Sequence, residues 1–216
     1  MTTFALLHGA GDGGWAWHLV GRALVSRGHR AVAPDLPTDR ADATWHHCVD
    51  VVEAALDRTD RLDDLVVVGH SAGGFVVPLV AERLAGRRDV RLQVFVAGMV
   101  PRPGESAAEW FGAVGWTGGV PDLDDDVPPG LAAEAAARER PTSDRLGAAP
   151  WPAAALPAVP SRYVITTRDR FLPPAVQRRV AADRLGITAP DEVTTGHCPH
   201  LSRPEELADL LAGDSP

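Results

Sequence analysis

A serine in a short glycine-framed pattern has the setting of a catalytic nucleophile. Gly69-His-Ser71-Ala-Gly73 follows a β-branched apolar run and precedes a segment with helical periodicity, so it lies where a buried strand turns into a helix. A serine at such a sharp turn has a strained backbone, and its hydroxyl projects above the sheet. The alternative is a glycine-rich turn with a solvated serine.

A serine hydroxyl needs a base, and the base needs a third group to hold it. Downstream of Ser71 the chain has two histidines, His197 and His200. We predict His197 as the base, because its loop precedes the last helix and can return over the sheet edge. His200 is the alternative, and otherwise a packing or capping residue.

The predicted acid is Asp169, which lies just past the apolar run Tyr163–Thr166 and therefore at a strand end. Its carboxylate would accept the Nδ1–H of the base, fix its tautomer and stabilise the imidazolium. The alternative for Asp169 is a surface pair with Arg168 or Arg170.

The glycine-rich loop after the first apolar run lets a substrate approach the backbone closely. We predict an oxyanion hole made by the backbone N–H groups of Ala10, in this loop, and Ala72, at the helix N-terminus. Trp15 and His70 could contact the substrate. The alternative for Trp15 is packing in the core, and the alternative for His70 is a structural role. The residues predicted to line the substrate pocket are Gly9, Trp15, His70, Trp110, Trp116, Phe171 and Cys198.

Short apolar runs alternate with amphipathic stretches along the chain. This alternation predicts an α/β fold with a mostly parallel sheet of about six strands flanked by helices. The predicted strands are Phe4–Leu7, Ala31–Ala33, Leu65–Val68, Leu92–Val96, Tyr163–Thr166 and a weak strand that ends at Val193. The predicted helices are Trp15–Arg27, Thr44–Arg58, one that follows Gly74 and runs through about Leu84, Pro174–Leu185 and Pro204–Leu211.

Residues 100–159 interrupt this alternation and are rich in proline, glycine and alanine. We expect residues 1–99 and 160–216 to form the core, and 100–159 to form a cap or lid with one short helix at about Leu131–Arg140. The alternative is an irregular surface excursion. Trp110, Phe111, Trp116 and Trp151 favour a lid with an apolar wall, and we interpret the acidic cluster Asp122–Asp126 as a solvated turn.

The composition of the chain limits the classes of partner that it could bind. The 29 acidic residues outnumber 21 basic residues, all arginine, and no basic block occurs, which disfavours nucleic acid. No stretch approaches the apolar length of a membrane span, and two cysteines make no disulfide framework. The chain has no lysine or asparagine, which indicates a high-GC bacterial genome. We expect a cytoplasmic protein without a cofactor and without a metal site, and we exclude His46-His47-Cys48 as a metal site in particular.

Together these residues resemble the α/β-hydrolase superfamily. Within it, the opening from His8 to Trp17 is similar to the H-G-A-x-x-G-x-W-x-W pattern of plant methyl-ester esterases, hydroxynitrile lyases and small bacterial esterases. The resemblance implies a triad of Ser71, Asp169 and His197. It also implies oxyanion donors at Ala10 and Ala72.

Three departures from that group limit what the resemblance implies. Gly9 offers no hydroxyl for a cyanohydrin, and Cys198 follows His197 where the lyases have a lysine, so lyase activity is disfavoured. The short cap leaves the pocket more open, or completed by a second subunit in a homodimer.

The leading functional hypothesis is a carboxylesterase that cleaves a small ester with an apolar part through an acyl-enzyme. One alternative is a non-hydrolytic enzyme, such as a lyase or a secondary-metabolite tailoring enzyme, that uses the same triad. The other is a small-molecule binding protein on this fold.

Overall fold

The computed structural model describes residues 1–58 and 64–213. Within them a single six-stranded sheet has the order β2-β1-β3-β4-β5-β6, and every neighbouring pair is parallel. This confirms the predicted α/β architecture. The strands are β1 Thr2–Leu7, β2 Arg30–Val32, β3 Asp64–His70, β4 Val90–Val96, β5 Ser161–Thr166 and β6 Asp191–Val193.

Nine α-helices accompany the sheet within the described ranges. They are α1 His18–Ser26, α2 Trp45–Leu56, α3 Val77–Leu84, α4 Ala107–Ala113, α5 Pro129–Ala136, α6 Asp144–Ala148, α7 Pro174–Leu185, α8 Pro199–Ser202 and α9 Pro204–Ala212. Two 3-10 turns, Gly14–Trp17 and Ser71–Phe75, lead into α1 and α3. Helices α1 and α3 are therefore shorter than the predicted helices, because the glycine-containing residues before each of them form a more tightly wound 3-10 turn.

Local chemistry sets several helix ends. The Thr44 side chain accepts a hydrogen bond from His47 N at the start of α2. Proline opens α7, and Gly186 closes it with φ of 70°, a conformation that costs glycine little. Helix α7 packs against β5, the strand that precedes the predicted acid.

The core has two layers, one on each face of the sheet. Along β1, Phe4 and Leu6 point into one layer while Ala5 and Leu7 point into the other, as the two-residue period of a strand requires. All four side chains are fully buried. A sheet buried on both faces explains why the apolar runs in the sequence were continuous.

The chain between β4 and β5 contains three helices, α4, α5 and α6, where the sequence predicted one. The single predicted helix corresponds to α5, which begins at Pro129 and ends at Ala136. Helix α4 has a capping box, in which Ser106 and Glu109 satisfy each other's backbone N–H groups. This capping pair was readable in the sequence as S-x-x-E.

Buried contacts fix this segment to the core. Trp110 Nε1 donates to Val100 O at 2.9 Å, and Trp151 Nε1 donates to Phe75 O at 2.9 Å. Arg184 in α7 forms a buried ion pair with Glu105. The interpretation of Trp110 and Trp151 as an apolar binding wall is wrong, because both rings are almost fully buried in the core.

Within residues 1–58 and 64–213, no helix combines the length and apolar character needed to cross a membrane.

Candidate active site

Ser71 lies at a strained turn between β3 and the following 3-10 turn. Its φ is 49°, in the left-handed region that non-glycine residues seldom adopt. A Cβ at Gly73 would lie 2.7 Å from His8 O, and one at Gly69 would lie 2.5 Å from Val77 Cγ2. The two glycines are therefore needed because strand, turn and helix approach one another too closely for any side chain.

A continuous hydrogen-bonded chain runs from this serine to a carboxylate. His197 Nε2 lies 3.1 Å from Ser71 Oγ, and His197 Nδ1 lies 2.7 Å from Asp169 Oδ2. All three residues are buried, with exposed fractions of 7% or less. The structure thus brings together the three residues chosen from the sequence, at distances that permit proton transfer.

Asp169 is held by more donors than the histidine alone. Its Oδ1 accepts from the backbone N–H groups of Phe171 and Leu172, at 2.9 and 2.8 Å. Its Oδ2 also accepts from Thr166 Oγ1 at 2.9 Å and Gln177 Nε2 at 3.1 Å. These contacts fix the orientation of the carboxylate.

Sequence reasoning missed Gln177, which links three parts of the acid segment. Its Nε2 donates to Leu172 O and Thr166 Oγ1, while its Oε1 accepts from Thr166 N. The side chain is 1% exposed. A polar residue in the first turn of the predicted helix after a D-x-F-L-P-P segment is the signal that could have identified it.

The loop that carries His197 is anchored from two sides. His70 Nε2 donates to His197 O at 2.8 Å. Asp126, in the segment between β4 and β5, accepts from Gly196 N at 2.7 Å and from Thr195 Oγ1 at 2.8 Å. The interpretation of the acidic cluster as a solvated turn is therefore wrong for Asp126, because this carboxylate binds the histidine loop.

Two cavities meet at Ser71. The apolar cavity has a volume of about 250 Å³, and its walls include Leu36, Trp45, Val76, Met99, Phe111 and Leu146. The acidic cavity has a volume of about 370 Å³, and its walls include Asp12, His70, Asp124, Glu139, His197 and Cys198. Ala10 and Phe171 contact both cavities, and Ala72 lines the apolar one. Both residues predicted for the oxyanion hole therefore lie beside Ser71.

Four of the seven predicted pocket residues line one or both of these cavities. Gly9 lines the apolar cavity, Phe171 lines both cavities, and His70 and Cys198 line the acidic cavity. A Cβ at Gly9 would lie 3.1 Å from Ser71 Cβ, so this position has to remain small.

The three predicted tryptophans lie away from these two cavities. Trp110 is a core residue, as described above. Trp116 lies behind Phe171, to whose carbonyl its Nε1 donates. Trp15 stacks on His18 with Arg138 over its ring, and it lines a neighbouring cavity. The prediction that they line the pocket is wrong because their indoles pack against protein groups, as large amphipathic rings commonly do.

Burial shifts the protonation of several groups in the acidic cavity. Burial, reinforced by the nearby carboxylate of Asp124, raises the pKa of Asp12 to about 7. Burial also raises the pKa of Asp124 above its ordinary value and the pKa of the Cys198 thiol well above its ordinary value. It lowers the pKa of His70 well below its ordinary value, so His70 is neutral near pH 7.

His200 is fully buried behind this cavity, 4.5 Å from the His70 ring and 5.1 Å from the Trp17 ring. Neither of its ring nitrogens has a hydrogen-bond partner within the described ranges. Its place against two rings agrees with the packing alternative. Burial lowers its pKa to about 3.

One group of side chains could hold a metal ion. Ligand atoms of Asp12, His70 and His200 all lie within 4.8 Å of one another. Two neutral imidazoles and a carboxylate form a donor set suited to a divalent transition metal. The expectation of no metal site did not consider this group, because its members are far apart in the sequence.

Comparison with known proteins places the chain in context. A family model described as "Alpha/beta hydrolase family" matches residues 4–210. "Norfluorocurarine synthase 2" of Strychnos sp is 34% identical over 108 residues, which are 45% of this chain and 39% of that protein. "Carbendazim hydrolyzing esterase" of Nocardioides sp. is 35% identical over 114 residues, which are 49% of this chain and 46% of that protein. The chain therefore matches less than half the length of these relatives.

The fold is shared more fully with solved structures. The crystal structure of polyneuridine aldehyde esterase superposes with a TM-score of 0.79 at 21% identity, and the superposition covers 98% of both chains. At this identity the likeness shows a common architecture.

Proposed function

Since this chain belongs to the alpha/beta hydrolase family, we propose that it is a carboxylesterase that cleaves small esters through an acyl-enzyme on Ser71. The observation that carries the proposal is the buried hydrogen-bonded chain from Ser71 Oγ through His197 to Asp169. An esterase name among the relatives, on a bacterial protein 35% identical over about half of this chain, supports the same reaction class.

In the first half-reaction, Ser71 Oγ attacks the ester carbonyl carbon while its proton moves to His197 Nε2. Asp169 accepts the His197 Nδ1–H, holds that tautomer and stabilises the imidazolium as it forms. The backbone N–H groups of Ala10 and Ala72 stabilise the negative charge on the carbonyl oxygen. The carbon–oxygen bond to the leaving group then breaks, and the His197 proton passes to the departing oxygen.

In the second half-reaction, water attacks the acyl-enzyme and gives its proton to His197. The bond between the carbonyl carbon and Ser71 Oγ breaks, the proton returns to Oγ, and the carboxylic acid leaves. The apolar cavity suits the acyl chain, and residues 100–159 act as a cap that shapes both cavities. Lining residues from α4 and α6 at the apolar cavity, and from α5 at the acidic cavity, support this role.

The test is a series of p-nitrophenyl esters with acyl chains of increasing length. We expect turnover that is highest at an intermediate length, because the apolar cavity is about 250 Å³ in volume. Ser71→Ala is expected to lower kcat at least about a thousandfold, since the nucleophile is lost. Turnover that survives in Ser71→Ala would overturn the proposal.

A non-hydrolytic reaction on the same residues is the second candidate, favoured by the similarity to a protein named as a synthase. A fluorophosphonate probe separates the candidates, because it labels an activated serine whatever the natural reaction is. Labelling of Ser71 without hydrolysis of any ester favours the non-hydrolytic enzyme. Neither labelling nor hydrolysis favours a binding protein.

A further inference from the structure

The acidic cavity lies on the side of Ser71 where a leaving group must lie. The leaving oxygen takes its proton from His197 Nε2, so it has to be next to His197. His197 lines the acidic cavity, and it is not among the described residues that line the apolar cavity. If the proposed esterase reaction holds, on which this inference rests, the acyl chain occupies the apolar cavity and the leaving group occupies the acidic one.

The polar groups that line the acidic cavity offer hydrogen-bond acceptors to a ligand. Three are the carboxylates of Asp12, Asp124 and Glu139. His70 also lines the cavity, and its ring has a further acceptor. Because His70 Nε2 bonds to a carbonyl oxygen, which can only accept, Nε2 carries the proton of this neutral ring and Nδ1 has the free lone pair.

The Nδ1 atom of His70 has an unmet hydrogen-bonding need. The side chain is 2% exposed, and Nδ1 has no partner among residues 1–58 and 64–213. A buried acceptor without a donor costs free energy. The Cys198 thiol does not supply that donor, because its interaction is with the Asp124 carboxylate.

The nearby arginines do not neutralise this cavity. Arg138 lies over the Trp15 ring, Arg140 pairs with Asp39, and Arg170 pairs with Asp125. None of the arginines in the described ranges lines the acidic cavity. The cavity therefore presents negative charge and acceptors together, beside the place where the leaving oxygen departs.

We propose that the acidic cavity binds a protonated amine on the leaving group, so that the preferred substrates are esters with an apolar acyl chain and an ammonium-bearing alcohol or phenol. A protonated amine supplies both the positive charge and the N–H donor that this lining lacks. A neutral leaving group would cover the carboxylates of Asp12 and Asp124 without bringing them a cationic partner, which is costly.

Three hexanoate esters test the proposal. Their leaving groups are para-(dimethylaminomethyl)phenol, protonated near neutral pH, its uncharged analogue para-isobutylphenol, and the quaternary para-(trimethylammoniomethyl)phenol. Each kcat/KM is divided by the spontaneous hydrolysis rate of that ester, and EDTA keeps metal ions from Asp12, His70 and His200. We expect a preference of at least about tenfold for the tertiary ammonium ester over the neutral one, with the quaternary ester between them.

Charge-removing variants assign the preference to the cavity. Asp12→Asn and Asp124→Asn are each expected to lower the ammonium-to-neutral ratio at least about fivefold. Asp122→Asn is the matched control, because Asp122 is exposed and does not line the cavity. Circular dichroism checks that each variant is folded. Benzyldimethylamine, used as a competitive inhibitor, reports on the cavity independently of catalysis. Its binding is expected to be weaker in the two cavity variants.

The outcomes separate this inference from the proposed function. Equal or better specificity for the neutral ester, with hydrolysis intact, overturns the ammonium site and leaves the esterase standing. A ratio that falls as much in Asp122→Asn as in Asp12→Asn overturns the assignment to this cavity. Failure to cleave any of the three esters and p-nitrophenyl hexanoate overturns the esterase, and this inference with it.

Discussion

Replacing Asp126 by alanine is expected to disorganise the active site from a distance. The Asp126 carboxylate makes no contact with Ser71, His197 or Asp169 in the hydrogen bonds that the structure describes. It holds the loop before His197 by accepting from Gly196 N at 2.7 Å and Thr195 Oγ1 at 2.8 Å. Without it, the Gly196 amide and the Thr195 hydroxyl lose a charged partner close to the base.

The magnitude follows from these two bonds. A hydrogen bond to a charged group contributes about 1.5–3 kcal/mol. Water that enters a partly buried site replaces some of the lost hydrogen bonding. For the two bonds together, we therefore expect a loss of about 2–4 kcal/mol in the free energy of unfolding. A displacement of His197 by ~1 Å is expected to lower kcat about 100-fold. The KM for a neutral ester should change much less, because Asp126 does not line either cavity.

The assay combines urea unfolding with steady-state hydrolysis of p-nitrophenyl butyrate. Asp122→Ala is the matched control, since Asp122 is exposed and belongs to the same acidic cluster. Asp126→Asn keeps one acceptor oxygen and should recover part of both losses. If Asp126→Ala loses less than ~0.5 kcal/mol of stability and less than about threefold in kcat, the anchoring role of Asp126 is refuted.

Three further predictions concern an ion pair, a carboxyl group and the two thiols. Glu105→Gln leaves the buried Arg184 without its ionic partner and should cost about 3–5 kcal/mol in chemical denaturation, and a cost below about 1 kcal/mol would contradict the pairing. For Asp12, the folded pKa lies above the unfolded one, so the folded state binds more protons and stability falls as the pH rises from about 4 to about 7. The Tm advantage of Asp12→Asn over the wild type should therefore widen across that range, and a constant difference would argue against the raised pKa. Burial raises the pKa of Cys198 well above its usual range and that of Cys48 to about 12. Neither thiol should therefore react quickly with Ellman's reagent until the protein is denatured. A thiol that reacts quickly in the native protein would contradict this.

The residues at the centre of the site were predictable because each lies at a strand end with a strong local signal. Gly69 and Gly73 frame Ser71 at a turn where a side chain would clash, and Asp169 follows a buried apolar run. Parallel strands bring such ends to one edge of the sheet, so order along the chain was enough to place them together.

The supporting residues could not be found in the same way. Gln177 reaches back to Asp169 from α7, and Asp126 reaches the His197 loop across 70 residues of chain, so their roles depend on tertiary packing. Trp110 shows the opposite error. An aromatic residue in a segment without strands suggested a binding wall, but tertiary packing turned it into the core.

The most direct measurement of the central claim is the rate at which a fluorophosphonate probe labels Ser71, followed by mass spectrometry of the intact protein and of the labelled peptide. The account predicts one label per chain at Ser71, about a thousandfold slower labelling in His197→Ala, and near wild-type labelling in His200→Gln. Labelling that survives in His197→Ala and disappears in a folded His200→Gln, or that falls on another residue, would contradict it.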